Sequence, residues 1–358
     1  MTEQLTVPEA RAGQEPPPLV EIEDLHVTFT RRQAFRPPRR VRAVDGVSLT
    51  IGRGRTLGLV GESGSGKSTA GRALLNLVPI ESGRVVVDGE DMAAMRGRRL
   101  RSFRRRMQMI FQDPYSSLDP SATVAASIAE PLRVHEGLSE KRAWSRVLEL
   151  LEVVGLQASH ATRYPYEFSG GQRQRIAIAR ALTLNPDLIV CDEAVSALDV
   201  STQNQVINLL EDLREERGLS YLFIAHDLAV VRHIAHDVAV MYLGHVVETG
   251  PVERLYEHPE HPYTRALLSA IPEPDPDRDR RDRIVLRGDL PDPADPPTGC
   301  PFQTRCPEVM DICRTEMPAM RPVTTGGQVA CHLYQPGAPA PLSIVTSADA
   351  PTTEQGAR

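Results

Sequence analysis

The chain alternates short apolar runs with longer stretches in which apolar residues recur at helical spacing. The apolar runs predict strands at residues 56–60, 107–111, 188–191, 221–225 and 238–242. Helical spacing is found at residues 67–77, 172–184 and 201–217. Strands that alternate with helices favour a mostly parallel sheet covered on both faces, so the pattern predicts an α/β fold.

Two further patterns complete the large unit. Residues 19–29 alternate apolar and polar side chains and are predicted to form a strand, and the Arg/Pro-rich insertion after it, at 31–42, is interpreted as a loop. From 115 to 166 the pattern is largely helical, with an apolar stripe formed by Trp144, Val147, Leu148, Leu151 and Val154. We expect this stripe to be the core of a helical subdomain at about 115–168.

Changes in composition divide the 358 residues into five regions. We expect a disordered N-terminus at 1–18, a large α/β domain at 19–271, a Pro/Asp/Arg-rich linker at 272–299, a Cys-rich unit at 300–334 and a disordered tail at 335–358. The chain is too long for one ordinary core, which agrees with one large domain and a small appendage.

The bulk composition is that of a protein in the cytoplasm. Hydrophobic residues make up 41% and charged residues 25% of the chain. No apolar run approaches the roughly 18 residues of a membrane-spanning helix, and the N-terminus lacks the pattern of a secretory signal. The net charge of -6 argues against wholesale binding of nucleic acid.

A glycine-rich loop lies between the predicted strand at 56–60 and the helix at 67–77. It satisfies the P-loop pattern in full with Gly61, Glu62, Ser63, Gly64, Ser65, Gly66, Lys67 and Ser68, followed by Thr69. The glycines let backbone N–H groups surround phosphate oxygens, Lys67 adds a positive charge and Ser68 offers a hydroxyl to Mg²⁺. Lys67 is also one of only two lysines among 41 basic residues, so the sequence predicts a nucleotide-phosphate site here.

The apolar run at 188–191 ends in two carboxylates, Asp192 and Glu193. Beside a P-loop, this arrangement is suited to hold Mg²⁺ through Asp192 and to polarise the attacking water through Glu193. Taken alone, a strand followed by surface acids would be nearly as good an interpretation. The P-loop upstream favours the catalytic one.

The segment that opens the helix at 172–184 carries Ser169, Gly170, Gly171 and Gln172. With this signature about twenty residues before the carboxylate strand, the chain resembles the ABC ATPase family. Gln112, Asp199 and His226 lie at the positions of that family's Q-loop, D-loop and switch histidine. The resemblance implies a P-loop core with a parallel sheet, an antiparallel β part and a helical subdomain.

The resemblance also implies how the site works. Two such domains close head to tail around two ATP molecules, each held between one P-loop and the partner's signature segment. Lys67, Glu193 and His226 would be catalytic, with Mg²⁺ on Ser68, Gln112 and Asp192. The chain departs from many relatives at Ala194, where proline is frequent, so that loop loses a φ restraint. Phe29 and Phe35 are the aromatic candidates for stacking on adenine.

The C-terminal part resembles the extension of ATP-binding subunits of dipeptide and oligopeptide ABC transporters, most closely the F-type subunit. The residues that carry this likeness are His258 to Leu268, which we interpret as a rigid turn and helix, and the Cys-bearing segment after them. The resemblance implies an ATPase at the cytoplasmic face of a membrane that energises peptide import. Its partners would be two permease subunits, a second, similar ATP-binding subunit and, indirectly, an extracytoplasmic substrate-binding protein. Importers of nickel or other small solutes share the architecture.

An ABC ATPase of DNA repair or translation is the competing class. Residues 95–106 contain seven arginines, which would suit phosphate contacts, anionic lipid or simply a solvated helix face. A single ATPase cassette and an acidic net charge argue against the nucleic-acid class, so we expect no nucleic-acid partner.

Four cysteines, Cys300, Cys306, Cys313 and Cys331, lie behind the linker in a segment too small to fold on its own core. A metal or docking on the main domain must therefore hold it. Spacing alone leaves an iron–sulfur cluster, zinc and free thiols open, because no close cysteine pair typical of zinc is present. The resemblance to peptide-transporter ATPases favours a [4Fe-4S] cluster. Cys191, on the carboxylate strand, is expected to be a core residue.

Overall fold

The computed structural model describes residues 17–33, 36–113, 117–271 and 284–335. Residues 1–16, the first part of the predicted linker at 272–283, residues 336–358 and Phe35 lie outside the described residues. The description of side chains is narrower still near the first gap, where it omits residues 31–37.

A large sheet of eight strands forms the centre of the molecule, in the order β11-β12-β10-β9-β3-β8-β7-β6. Five of them run parallel, and these are β3 (Thr56–Val60), β6 (Met107–Ile110), β7 (Leu188–Asp192), β8 (Ser220–Ala225) and β9 (Asp237–Tyr242). Strands β3, β7 and β8 are buried along their whole length. Their continuous apolar runs therefore have the composition of strands covered on both faces, as the sequence predicts.

A smaller antiparallel sheet has the order β2-β1-β4-β5, with β1 at Val20–Gln33, β2 at Arg36–Ile51, β4 at Ser82–Val87 and β5 at Glu90–Asp91. The prediction of a loop at 31–42 is wrong, because β1 and β2 continue through it as a paired hairpin in which Arg31 is opposite Arg39. Strand β2 is at the sheet edge, where proline's missing N–H breaks no ladder.

The parallel strands are connected by helices that cover the sheet. They are α1 (Lys67–Leu74), α2 (Gly97–Phe103), α5 (Gly170–Leu182), α6 (Val200–Arg217) and α7 (Leu228–Ile234). The helical subdomain consists of α3 (Val124–Glu136) and α4 (Glu140–Val153), which pack on α5. Val147, Leu151 and Val154 are fully buried there, but Trp144 is 41% exposed. The predicted stripe is therefore correct except at Trp144, its N-terminal member.

The C-terminal part packs against the main sheet. After β10 (His245–Pro251) come α8 (Val252–Glu257), α9 (Pro262–Ser269) and α10 (Ile312–Thr315), and the short strands β11 (Arg321–Pro322) and β12 (Gln328–Val329). Strand β12 pairs with β10, which extends the main sheet. Phe302 is fully buried against Tyr242 and Tyr263. Docking on the main domain, one of the two predicted alternatives, thus holds the segment.

No helix within the described residues is long and apolar enough to cross a membrane.

Candidate nucleotide-binding and hydrolysis site

Glycine geometry shapes the P-loop between β3 and α1. Gly61, Gly64 and Gly66 all have positive φ, at 153°, 82° and 101°. A Cβ on Gly66 would lie 2.0 Å from the carbonyl oxygen of Ala43, and one on Gly61 would lie 2.1 Å from that of Met241. Both positions therefore admit only glycine, and the backbone N–H groups of the loop are held at the N-terminus of α1.

Lys67 is buried beneath this loop, with 4% of its surface exposed. Its ammonium group donates hydrogen bonds to the carbonyl oxygens of Gly61 at 2.7 Å and Glu62 at 2.8 Å. Burial lowers the pKa of Lys67, while the nearby charges of Glu193 and Asp192 act to raise it. A single cation is thus positioned beneath the glycine-rich turn.

Ser68 and Asp192 meet although 124 residues separate them. The Ser68 hydroxyl donates a 2.6 Å hydrogen bond to Oδ1 of Asp192, whose side chain is almost completely buried. Arg72 approaches the other carboxylate oxygen at 3.4 Å. A hydroxyl and a carboxylate oxygen in contact suit Mg²⁺, so the chemistry of Ser68 and Asp192 fits that ion. The side-chain amide of Gln112, the third predicted ligand, instead donates a hydrogen bond to Glu193.

Glu193 follows β7 with a left-handed backbone, at φ 49°. Its carboxylate accepts a 2.7 Å hydrogen bond from the Gln112 side-chain amide and lies 3.9 Å from Nδ1 of His226. A non-glycine residue held in this strained region is frequent at functional sites. The structure therefore brings together three predicted residues that come from the ends of three different strands.

The loop after Glu193 is tied down despite the absence of proline. Ala194 is buried, and the Ser196 N–H donates a 3.1 Å hydrogen bond to the Glu193 carbonyl oxygen. These contacts supply local restraint where a proline would have fixed φ.

The signature segment forms the N-terminus of α5. The Ser169 hydroxyl accepts from the Gln172 N–H at 3.3 Å, and the Gln172 side-chain oxygen accepts from the Ser169 N–H at 3.1 Å. This reciprocal capping box fixes the start of the helix. Gly170 and Gly171 lie against the start of α6 and the residues just before it, and a Cβ on Gly171 would come within 2.1 Å of Cγ2 of Thr202.

Asp199 begins α6 as its N-cap. Its carboxylate accepts hydrogen bonds from the Thr202 N–H at 3.0 Å and the Thr202 hydroxyl at 2.7 Å. These bonds lower the pKa of Asp199. Thr202 therefore joins Asp199 to Gly171, a contact between D-loop and signature that spacing alone did not indicate.

Of the two aromatic candidates for adenine, only Phe29 lies within the described residues. It is 41% exposed on β1, in the antiparallel sheet.

One of the two histidines of the C-terminal turn is buried. His261 is 1% exposed and caps α9, with its ring accepting a hydrogen bond from the Tyr263 N–H at 3.0 Å. Burial lowers the pKa of His261 to about 3. The prediction of a rigid turn into a helix thus describes this segment.

The cysteines form a partly buried group. Cys300 and Cys313 are buried, and the Cys300 N–H donates to the Cys313 carbonyl oxygen at 2.8 Å. Burial raises the pKa of the Cys300 thiol to about 11 and those of Cys306 and Cys331 to about 12, with contributions from the neighbouring thiols. Cys191 is fully buried in the core, as expected.

Within the part of the chain that the structure describes, no group of three or more His, Cys, Asp or Glu residues is arranged to hold a metal ion. The predicted iron–sulfur cluster, and zinc as its alternative, are thus not supported by the arrangement of the side chains.

Two residues near the P-loop were not predicted from the sequence. Arg305 forms an ion pair with Glu62, and the Tyr263 hydroxyl accepts a hydrogen bond from the Glu62 N–H. Both residues lie more than 200 positions from Glu62 along the chain, so no local sequence motif predicts these contacts.

A lysine beneath a glycine loop, a hydroxyl bonded to a buried carboxylate and a second carboxylate beside it define a P-loop nucleotide hydrolase. Comparisons with known proteins narrow this class. The family model described as ABC transporter matches residues 44–196, and that described as oligopeptide/dipeptide transporter, C-terminal region, matches residues 247–313.

Similar curated proteins cover most of the chain. The putative oligopeptide transport ATP-binding protein YkfD of Bacillus subtilis is 52% identical over 320 residues, which are 89% of this chain and 96% of the relative. The oligopeptide transport ATP-binding protein OppF of Salmonella typhimurium is 52% identical over 327 residues, with 89% and 97% covered.

Solved structures agree with the fold. The structure of cbiO1 from Clostridium perfringens, part of an ABC transporter complex, has a TM-score of 0.58 at 25% identity and covers 67% of this chain and 91% of that one. The dimeric structure of MJ0796, a bacterial ABC transporter cassette, has a TM-score of 0.58 at 29% identity and covers 65% and 98%. The chain therefore belongs to the ABC transporter family, among the ATP-binding proteins of oligopeptide transporters, and it is an ATPase.

Proposed function

We propose that the chain hydrolyses ATP to energise the import of oligopeptides or dipeptides through a membrane transporter. The observation that carries the proposal is the convergence of Lys67, Ser68, Asp192, Gln112 and Glu193 at one edge of the parallel sheet. The peptide substrate is supported by relatives that are named peptide import or oligopeptide transport ATP-binding proteins.

Each residue has a role that its geometry supports. Lys67 and the loop amides hold the β- and γ-phosphates, and Ser68, Asp192 and Gln112 would hold Mg²⁺, which offsets phosphate charge when bound. Glu193 accepts a hydrogen bond from the attacking water and directs it at the γ-phosphate, and His226 contacts the γ-phosphate from the end of β8. Most of the rate enhancement then comes from positioning and fixed charge.

The second half of each site comes from another ATP-binding subunit. The N-terminus of α5 presents the N–H groups of Gly170 and Gly171 and the positive end of a helix dipole, which suit a γ-phosphate. The similar cassette is dimeric, which supports pairing of two ATP-binding subunits. The Asp199 loop, packed on the signature, completes the contact between the two subunits.

Glu193→Gln tests the role assigned to the catalytic base. Loss of the carboxylate should lower ATP turnover by about 10²-fold or more, because general-base catalysis contributes 10²- to 10⁴-fold. ATP should still bind and hold the dimer closed. Glu216→Gln, an exposed residue of α6, is the matched control and should leave turnover unchanged.

Steady-state ATPase assays, nucleotide retention and light scattering would report these effects. Near-normal turnover in Glu193→Gln, with the control unchanged, would remove Glu193 from the mechanism.

A groove of about 540 Å³ beside the ATP site supports docking on a permease. Apolar side chains from the core and from the helical subdomain line it, including Leu100, Met109 and Val134, together with Arg101 and Arg104. Val134 is 64% exposed, which is costly for an unpartnered side chain in a cluster. We propose that a cytoplasmic helix of one permease subunit occupies this groove, at the inner face of the membrane.

The transported substrate distinguishes a peptide importer from the other functions considered above. Vesicles that contain this chain and its permeases should take up labelled dipeptides or oligopeptides, with a substrate-binding protein supplied outside. Uptake of nickel instead of peptides would assign the chain to the other importer class. An ATPase rate that rises with DNA or RNA, without permeases, would contradict the transporter proposal.

We also propose that the chain has the five regions predicted above. Within the Cys-rich unit, the four cysteines would hold a [4Fe-4S] cluster. The support is that Cys300, Cys306 and Cys313 all lie close enough to Cys331 to contribute to its raised pKa, which burial dominates. Anaerobically purified protein should be brown with about four irons. Colourless protein with stoichiometric zinc would overturn this assignment.

A further inference from the structure

The C-terminal extension reaches the P-loop through one ion pair. Both terminal nitrogens of Arg305 donate to the Glu62 carboxylate, at 2.7 and 3.1 Å. The Arg305 side chain is 9% exposed and that of Glu62 is 29% exposed. A bidentate arginine–carboxylate pair fixes orientation as well as distance, so this contact restrains the second residue of the P-loop.

Two more contacts hold the same residue. The Glu62 N–H donates to the hydroxyl of Tyr263 at 2.9 Å, and the Glu62 carbonyl oxygen accepts from Lys67 at 2.8 Å. Tyr263 packs on Phe302, three residues before Arg305, at a ring distance of 5.4 Å. The extension therefore supports the P-loop from behind, by an aromatic contact and an ion pair together.

The charge of Glu62 makes this support relevant to ATP. A carboxylate within the phosphate loop repels a triphosphate unless it is neutralised or directed away. We propose that Arg305 is a positioning residue for ATP, which neutralises Glu62 and holds the P-loop in its phosphate-binding conformation. The inference rests on the proposed binding of phosphates by the P-loop.

Arg305→Ala tests the pair. It leaves the Glu62 carboxylate unpaired beside the phosphates, so the Kd for a fluorescent ATP analogue should rise about tenfold, the effect of roughly 1.4 kcal/mol. In the full chain assembled with its permeases, the KM for ATP should rise similarly while kcat changes little. Arg305→Lys keeps the charge without the bidentate geometry and should give a smaller rise.

A second substitution distinguishes positioning from simple structural support. Glu62→Gln removes the unpaired charge, so the double variant Arg305→Ala, Glu62→Gln should recover most of the lost affinity. A purely structural role for Arg305 predicts no such recovery.

Arg265→Ala is the matched control. Arg265 joins α9 to Glu308 of the extension by an ion pair of 2.8 Å, at the same junction but with Glu308 rather than a P-loop residue as partner. Its removal should leave ATP affinity unchanged. The inference would be overturned by an unchanged Kd in Arg305→Ala, or by equal losses in the two arginine variants without recovery in the double variant.

Lys67→Ala separates this inference from the proposal beneath it. If Lys67→Ala binds ATP as well as wild type, the P-loop is not the phosphate site and both fail. If it abolishes binding while Arg305→Ala has no effect, only the inference fails.

Discussion

The two segments proposed to bind phosphate differ in how completely their side chains connect to other functional residues. At the P-loop, Lys67, Ser68, Asp192 and Glu193 lie within one connected group of hydrogen bonds and charges. The signature segment instead satisfies itself, because Ser169 and Gln172 cap each other. The P-loop is an assembled half of a site, whereas the signature is a self-capped helix N-terminus that we propose meets a ligand held by another subunit.

This difference separates two kinds of mutational effect. Changes at the P-loop should act on nucleotide binding within one chain. Changes at the signature should leave binding by the single chain intact and act on closure and turnover in the dimer.

The largest effect is expected at the P-loop lysine. Lys67→Ala removes the only buried cation beneath the loop among the described residues, so ATP hydrolysis should fall by about 10²- to 10³-fold, the loss typical of one charge-stabilising donor. Nucleotide binding by the monomer should weaken as well. Calorimetric titration with ATP would measure this, and unaltered binding would contradict the account of the P-loop.

The next effect concerns the joint between signature and D-loop. In Gly171→Ala the new methyl group would overlap Cγ2 of Thr202, and such overpacking costs about 1–3 kcal/mol. Turnover and stability to urea should both fall, while the monomer's affinity for ATP stays near wild type.

Thr202→Ser supplies the rescue. It removes the overlapping methyl group and keeps the hydroxyl that bonds Asp199. The double variant Gly171→Ala, Thr202→Ser should therefore recover most of the loss. Failure to recover would show that Gly171 is needed for something other than space.

A smaller effect, on stability, follows from His261 behind the P-loop. Its folded-state pKa of about 3 lies below the ordinary value of 6.5, so the unfolded state binds the proton first and stability falls as pH drops below about 6.5. Between pH 7 and 5 this contributes a loss of about 2 kcal/mol.

His261→Asn provides the comparison, since asparagine also caps helices but does not titrate. The urea midpoint of wild type should fall more between pH 7 and pH 5 than that of the variant. Equal acid sensitivity in both would exclude His261 as its source.

Local sequence located the P-loop and the carboxylate strand, because each is defined by residues close together in the chain. The edge hairpin was missed because arginine and proline hide the alternation that marks a strand. Trp144 was wrongly predicted to be buried, because the first residue of an apolar stripe can lie beyond the face of the helix that packs. The Arg305–Glu62 pair was missed because it joins residues that only the fold brings together.

A peptide-uptake assay tests whether ATP hydrolysis by this chain energises transport. Vesicles would carry this chain and its permeases, with ATP on the side of this chain and a labelled oligopeptide with its binding protein on the other. We expect uptake that requires ATP. The Glu193→Gln substitution should abolish this uptake while nucleotide remains bound. Equal uptake by wild type and Glu193→Gln would contradict it.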